Sequence, residues 1–176
     1  MTRIRQIYNR VNEILHNCDG IPAVYTHLFE VSQSCALIAL RRGENAELAT
    51  IAGVLHDIAY LKSNTNDTHN IIGLNGNNHA EYSSKIAMEI LQGLNITTSE
   101  ENDIICSAIQ KHSDKDAIDT PFDEVLKDAD VFAHGLSNVT GTNFRGVRWD
   151  NICKEFDIVN PKLFKYTVCG IYDKSN

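Results

Sequence analysis

The chain has no apolar run long enough to cross a bilayer: the longest uninterrupted one, Cys35 to Leu40, falls far short of the ~18 residues a span needs. Its opening residues, Met1-Thr2-Arg3-Ile4-Arg5-Gln6, lack the apolar stretch of a signal peptide, so the expectation is a cytoplasmic protein with no membrane partner. There is no CxxC pair. The five cysteines (Cys18, Cys35, Cys106, Cys153, Cys169) are odd in number and widely scattered, which argues for reduced thiols packed as small hydrophobes rather than disulfides or a zinc finger. Without a secretion route the Asn-x-Thr sequons, Asn95-Ile96-Thr97 among them, carry no meaning. No Lys/Arg cluster interrupts a net charge of −7, which speaks against long-range attraction of nucleic acid. A small phosphorylated substrate fits such a background only where local positive charge, such as metal ions, overcomes it. Strand signals are nearly absent, and no internal repeat, coiled coil or low-complexity segment is found.

What the chain does have is helical periodicity. With 176 residues, 43% of them hydrophobic, it suits one globular domain over 1–176 with a real core. Ile4, Ile7, Tyr8, Val11, Ile14 and Leu15 predict an amphipathic helix over Arg3 to Asn17, broken by Cys18-Asp19-Gly20. Pro22 suits the first turn of a second helix, about Ala23 to Arg42, stopped by Gly43. Asn45 caps a third helix, Ala46 to Tyr60, in which small Ala49, Ala52, Gly53 and Ala59 let neighbours approach closely. Lys62 to Asn78 reads as a long polar loop, of the kind often used as a lid or binding loop. Further helices follow at about Asn78 to Leu94, at Ser99 to His112 behind a Thr98/Glu101 capping box, and from Pro121 to about Ser137. Val139 to Asp150 reads as a loop and Lys162 to Gly170 as a short terminal helix. The class is all-α.

One stretch stands out. In Gly53-Val54-Leu55-His56-Asp57-Ile58-Ala59, an adjacent His and Asp lie within an apolar helical segment. Burying two such side chains is costly unless something satisfies them. A divalent cation would do so, because imidazole and carboxylate are ordinary ligands for Mn, Fe, Co or Zn. The plainer alternative is a core histidine hydrogen-bonded by its neighbour. The rest of the chain weighs against it: His27, His79, His112 and Asp130 all fall in or beside predicted helices, as ligands gathered at the centre of a bundle would. His27 points inward, one turn before Val31, and Asp130 shares the buried side of Leu126.

The order His27, His56-Asp57, His79, His112, Asp130 resembles the HD superfamily of metal-dependent phosphohydrolases, whose pattern is H…HD…H…H…D on a helical core. The resemblance runs from Thr26 to Leu136, leaving 139–176 as a C-terminal extension. The settings also match: Ala52-Gly53-Val54-Leu55-His56-Asp57-Ile58, His79-Ala80-Glu81, Lys111-His112-Ser113-Asp114-Lys115 and Leu126-Lys127-Asp128-Ala129-Asp130. It implies a helical bundle with a central metal site, His27, His56, Asp57 and Asp130 holding one ion. His79 and His112 occupy the places that mark members with a second ion, Asp57 then bridging both. Whether the ions are Mn, Fe, Co, Mg or Zn is left open. Asp128 competes with Asp130, but Ala129-Asp130 matches the family's ending better. His134, four residues on, can share the face of Asp130; His16 and His69 read as surface residues.

The resemblance further implies water activated by metal and directed at a phosphoryl group, with Asp57 at the reacting centre. Lys111 and Lys115 flank His112 and are candidates to bind substrate phosphate, with solvated lysines as the alternative. Glu81 and Asp114 are candidates to protonate the leaving oxygen. Trp149 with Arg145 and Arg148 either folds over a nucleotide base or serves as a packing anchor with two solvated arginines. Ile58-Ala59-Tyr60 replaces the Gly-Lys of cyclic-dinucleotide phosphodiesterases, no GYP follows, and the Glu-Asp of alarmone hydrolases is absent, so no named branch supplies the substrate. A small nucleotide or other phosphorylated metabolite is the expectation. A di-iron oxygenase cleaving C–C or C–P bonds and a non-catalytic metal or nucleotide sensor are the alternatives. The oligomeric state is open.

Overall fold

The computed structural model describes residues 1–16, 22–62, 78–137 and 146–158. These form eight helices: α1 (Arg3–His16), α2 (Pro22–Arg42), α3 (Ala46–Leu55), α4 (Ala59–Lys62), α5 (His79–Leu94), α6 (Ser99–Lys111), α7 (Pro121–Ser137) and α8 (Val147–Glu155). No strand occurs among the described residues, and none of the helices is long and apolar enough to cross a membrane. The all-α expectation is borne out.

Helix α3 lies at the centre. Every residue from Leu48 to Leu55 is buried, as a helix wrapped on all sides requires. Helix α2 packs along it, α7 packs on α2, the α5–α6 pair closes another side, and α1 covers α3. Gly53 explains how close α2 comes: a Cβ there would lie 2.7 Å from the Ser32 Cα and 3.0 Å from the Cys35 sulfur. The caps read from the sequence are present. The Asn45 side chain accepts from the Glu47 and Leu48 amides, both at 3.1 Å, and Thr98 and Glu101 form a reciprocal capping box. Gly43 ends α2 at φ +74°, a conformation that glycine adopts without steric cost.

Three expectations need correction. The helix foreseen over Ala46 to Tyr60 stops at Leu55 and restarts at Ala59. Between them the amides of Ile58, Tyr60 and Leu61 each donate three residues back rather than four, at 3.2, 3.0 and 3.1 Å, tightening the chain at the His-Asp pair. The loop foreseen over Val139 to Asp150 instead gives way to α8 at Val147, because Trp149, Ile152 and Cys153 recur at helical spacing and bury against Val131 and Phe132 of α7. The apolar periodicity of Pro121 to Ser137 places Val125, Leu126, Ala129, Phe132, Ala133 and Leu136 inward, but Leu136 is 48% exposed at the edge of that stripe. Residues 63–77 of the expected polar loop, residues 139–145 and the expected terminal helix at 162–170 lie outside the described residues.

Candidate metal centre

The six expected ligands are delivered by helix ends, a tight turn and helix faces. His56 and His112 are the C-terminal cap residues of α3 and α6. Their Nδ1 atoms lie 2.7 Å from the Gly53 carbonyl and 2.6 Å from the Ile109 carbonyl. A carbonyl oxygen only accepts, so Nδ1 donates in both rings, and in the neutral imidazole Nε2 is then the ligand atom. Asp57 sits in the tightened turn, His79 is the first residue of α5, and α2 and α7 present His27 and Asp130.

These side chains converge. His27 Nε2 lies 3.1 Å from Asp130 Oδ1, and His56 Nε2 lies 3.8 Å from the same oxygen and 3.5 Å from Asp57 Oδ2. Asp57 Oδ1 faces His79 Nε2 at 3.6 Å and His112 Nε2 at 3.5 Å, and the two imidazole nitrogens stand 3.2 Å apart. Four buried atoms in this cluster make no hydrogen bond: His27 Nε2, His56 Nε2, Asp57 Oδ1 and Asp130 Oδ1. Buried polar atoms are normally paired, so four orphans aimed at one another need a further partner. Imidazole and carboxylate donors a few ångströms apart suit divalent first-row ions, and the residues therefore fit the group. One set, His27, His56 and Asp57 with Asp130, would hold one ion; Asp57, His79 and His112 would hold another.

The protonation states of His56, Asp57 and Asp130 suit ligation. Burial pushes the His56 imidazole down to about 4, with Asp57 only partly opposing it, so it is neutral at pH 7. Burial would raise the Asp57 carboxyl, but His56 and His112 outweigh it and hold it below the usual range. Asp130 is likewise held low against burial, chiefly by Lys115 and then His27. His27 goes the other way, its burial outweighed by Asp130, which lifts it above its ordinary value. Ionised carboxylates beside a neutral His56 are the ligating forms.

The cluster opens on a cavity of about 670 Å³, within the size range of small-molecule sites. Asp57, His79, His112 and Asp130 line it together with Lys115, Tyr60 and His134, and Val131 and Val147 add apolar surface. The Tyr60 ring stacks on His79 with centroids 5.6 Å apart. Lys115 Nζ donates to Asp130 Oδ2 at 2.7 Å and to the His112 carbonyl at 2.6 Å.

Two expected site residues lie elsewhere. Lys111 binds Asp123 at 2.7 Å and does not line the cavity. Exposed Glu81 pairs with Lys85 at 2.6 Å, also away from it. An α-helix turns ~100° per residue, so a neighbour of a ligand in sequence points elsewhere. Asp114 accepts from the Asp116 and Ala117 amides in its own turn. Asp128 is excluded as the final ligand, its oxygens being held by Arg42 and Arg148, each at 2.8 Å. Trp149 is the packing anchor. It is fully buried, its ring lies against Phe132, and it fills the space where a Cβ on Gly135 would sit 2.1 Å from it. Arg148, expected to be solvated, is not: it donates to Glu124, to Asp128 and to the carbonyls of Lys115 and Ala117. Arg145 and His69 lie outside the described residues, and His16 is exposed as foreseen. Sequence reasoning missed Tyr60, for which only its place three residues after Asp57 was a signal.

The fold and cluster define an all-α protein with His/Asp groups that could hold divalent metal. A family model of the HD domain matches residues 24–135, more than half of the chain and a span that holds all six ligand positions. The chain belongs to the HD domain family, and so to the superfamily of metal-dependent phosphohydrolases. No curated protein and no solved structure matches it.

Proposed function

We propose that the protein hydrolyses a phosphate ester of a small nucleotide or other phosphorylated metabolite, using two divalent ions held by His27, His56, Asp57, His79, His112 and Asp130. The observation that carries this reading is the cluster of orphaned donor atoms, two of them on Asp57 and Asp130, which line a cavity together with Lys115. Bound divalent ions lower the pKa of coordinated water to about 7 and polarise a phosphoryl oxygen. The chain supplies the rest. His56 and His112 are locked in one tautomer by their carbonyl partners, and Asp57 faces both halves of the cluster. The Lys115 ammonium, at the cavity wall, neutralises phosphate charge that the acidic chain would otherwise repel. Tyr60, Val131 and Val147 offer aromatic and apolar surface to the organic part of the substrate.

The test is a phosphate-release screen of nucleotides and sugar phosphates with Mn or Co, run on wild type and Asp57→Ala. Turnover of one substrate class, lost in the variant, supports the reading. Iron in the purified protein together with substrate-dependent oxygen consumption, and no phosphate release, would replace it with the oxygenase.

A further inference from the structure

Asp130 Oδ1 is approached by a third imidazole that the H…HD…H…H…D pattern does not include. His134 Nε2 lies 3.4 Å from it, between the 3.1 Å of His27 and the 3.8 Å of His56. Asp130 and His134 are four residues apart on α7, the spacing that puts two side chains on one helix face and brings both donors of a helical metal motif to one ion. The His134 ring also lies against that of His27 on α2, with centroids 4.2 Å apart and planes inclined by 31°. His27, Asp130 and His134 therefore each offer a donor atom within 4.8 Å of the others.

Charge balance does not account for this arrangement. The Asp130 carboxylate already has the Lys115 ammonium 2.7 Å from its other oxygen, yet three Nε2 atoms gather at Oδ1, which makes no hydrogen bond. An ion with N and O donors at about 2.1 Å places neighbouring donors roughly 3.0 to 3.4 Å apart, from octahedral to tetrahedral geometry. The His134–Asp130 separation falls within that range. His56, an expected ligand, stands farther from the same oxygen than His134 does. His134 also lines the cavity and is 35% exposed, so it stands on the open side of the cluster.

We propose that His134 is a fifth protein ligand of the ion held by His27, His56, Asp57 and Asp130. The inference rests on the metal-dependent reading above. It makes the two halves of the centre unequal: the half at His27 is richer in protein donors and has fewer positions for water or substrate, while the His79/His112 half keeps more of them. Substrate and attacking water then belong mainly to the second half, beside Tyr60.

The test is a cobalt(II) titration of the apoprotein, followed by visible absorption and by competition with a chelator, on wild type, His134→Ala and His134→Gln. Circular dichroism checks that each variant is folded. The expected result is two classes of cobalt site in wild type, one of which weakens by about 10-fold or more in both variants with a changed d–d spectrum. Unchanged affinity and spectrum in either folded variant would overturn the assignment and leave the six-ligand centre standing. If wild type takes up no cobalt, the metal reading and this inference fall together.

Discussion

Helix α7 borders two buried ionic regions of opposite character. On one side Lys127, fully buried, donates to Asp119 at 2.6 Å and to the Ala117 carbonyl at 2.8 Å, with Glu124 at 3.3 Å. Beside it Arg148 bridges Glu124 and Asp128, and Arg42 joins Asp128 to Glu155. Opposite charges answer one another there, within the protein itself. On the other side Asp130 faces a group of imidazoles, His79 and His112 stand nitrogen to nitrogen, and four buried atoms are unpaired. Both regions bury charge at a cost, but the first recovers it from its own side chains and the second needs something from outside. One holds α7, α8 and the turn after α6 together; the other has the donors to hold an ion.

The contrast predicts that damage to the two regions separates binding from stability. The largest effect is expected from Asp57→Ala, which removes the residue facing both halves: metal uptake and turnover fall by more than about 100-fold, since loss of outer-shell partners alone costs 10- to 100-fold. Elemental analysis and phosphate release measure it, and retained metal with retained turnover would mean the site is misplaced. Lys127→Ala should do the reverse. Removing this fully buried side chain and its bonds to Asp119 and the Ala117 carbonyl lowers stability, read as a shift in the urea midpoint, while the folded fraction still binds metal. Gly135→Ala forces a methyl into the Trp149 ring and should cost at least about 1–3 kcal/mol as overpacking, again without loss of metal sites in the folded protein.

The smallest effect distinguishes the regions by acid. In the paired network Arg42 holds the Glu155 carboxyl below its ordinary value. Glu124 is also held low: burial opposes this, but the Asp119 amide and Arg148 outweigh it. A carboxyl depressed in the folded state adds stability that is present above its unfolded pKa of 4.5 and is lost as pH falls through the folded value. Glu155→Gln should therefore be less stable than wild type at neutral pH, and the gap should close in acid below about 4.5. A gap that does not change with pH would show that the Arg42–Glu155 pair adds nothing electrostatic.

The binding region was far more legible in the sequence than the paired one. Its six candidate ligands are chemically distinctive and sit in helical settings whose caps and apolar stripes can be read locally, so His27, His56, Asp57, His79, His112 and Asp130 meet as the pattern implies. Geometry that depends on a partner element was not legible. The break at His56 arises where its imidazole bonds the Gly53 carbonyl and the turn tightens, which no helix propensity reports. The spacing of His134 gave its face on α7, but its approach to His27 depends on how α2 packs. Lys111 and Glu81 were linked to the site by sequence neighbourhood, and helical rotation carries both away from it. Arg148 and Trp149 were read as loop residues, because α8 gains its meaning only against Gly135 and Phe132.

We infer that the orphaned cluster is a metal centre. Its most direct test is elemental analysis of protein purified without added metal, repeated after soaking in Mn, Fe, Co or Zn and desalting. Roughly two divalent ions per chain are expected, lost in Asp57→Ala. A folded protein that carries none and takes up none would contradict it.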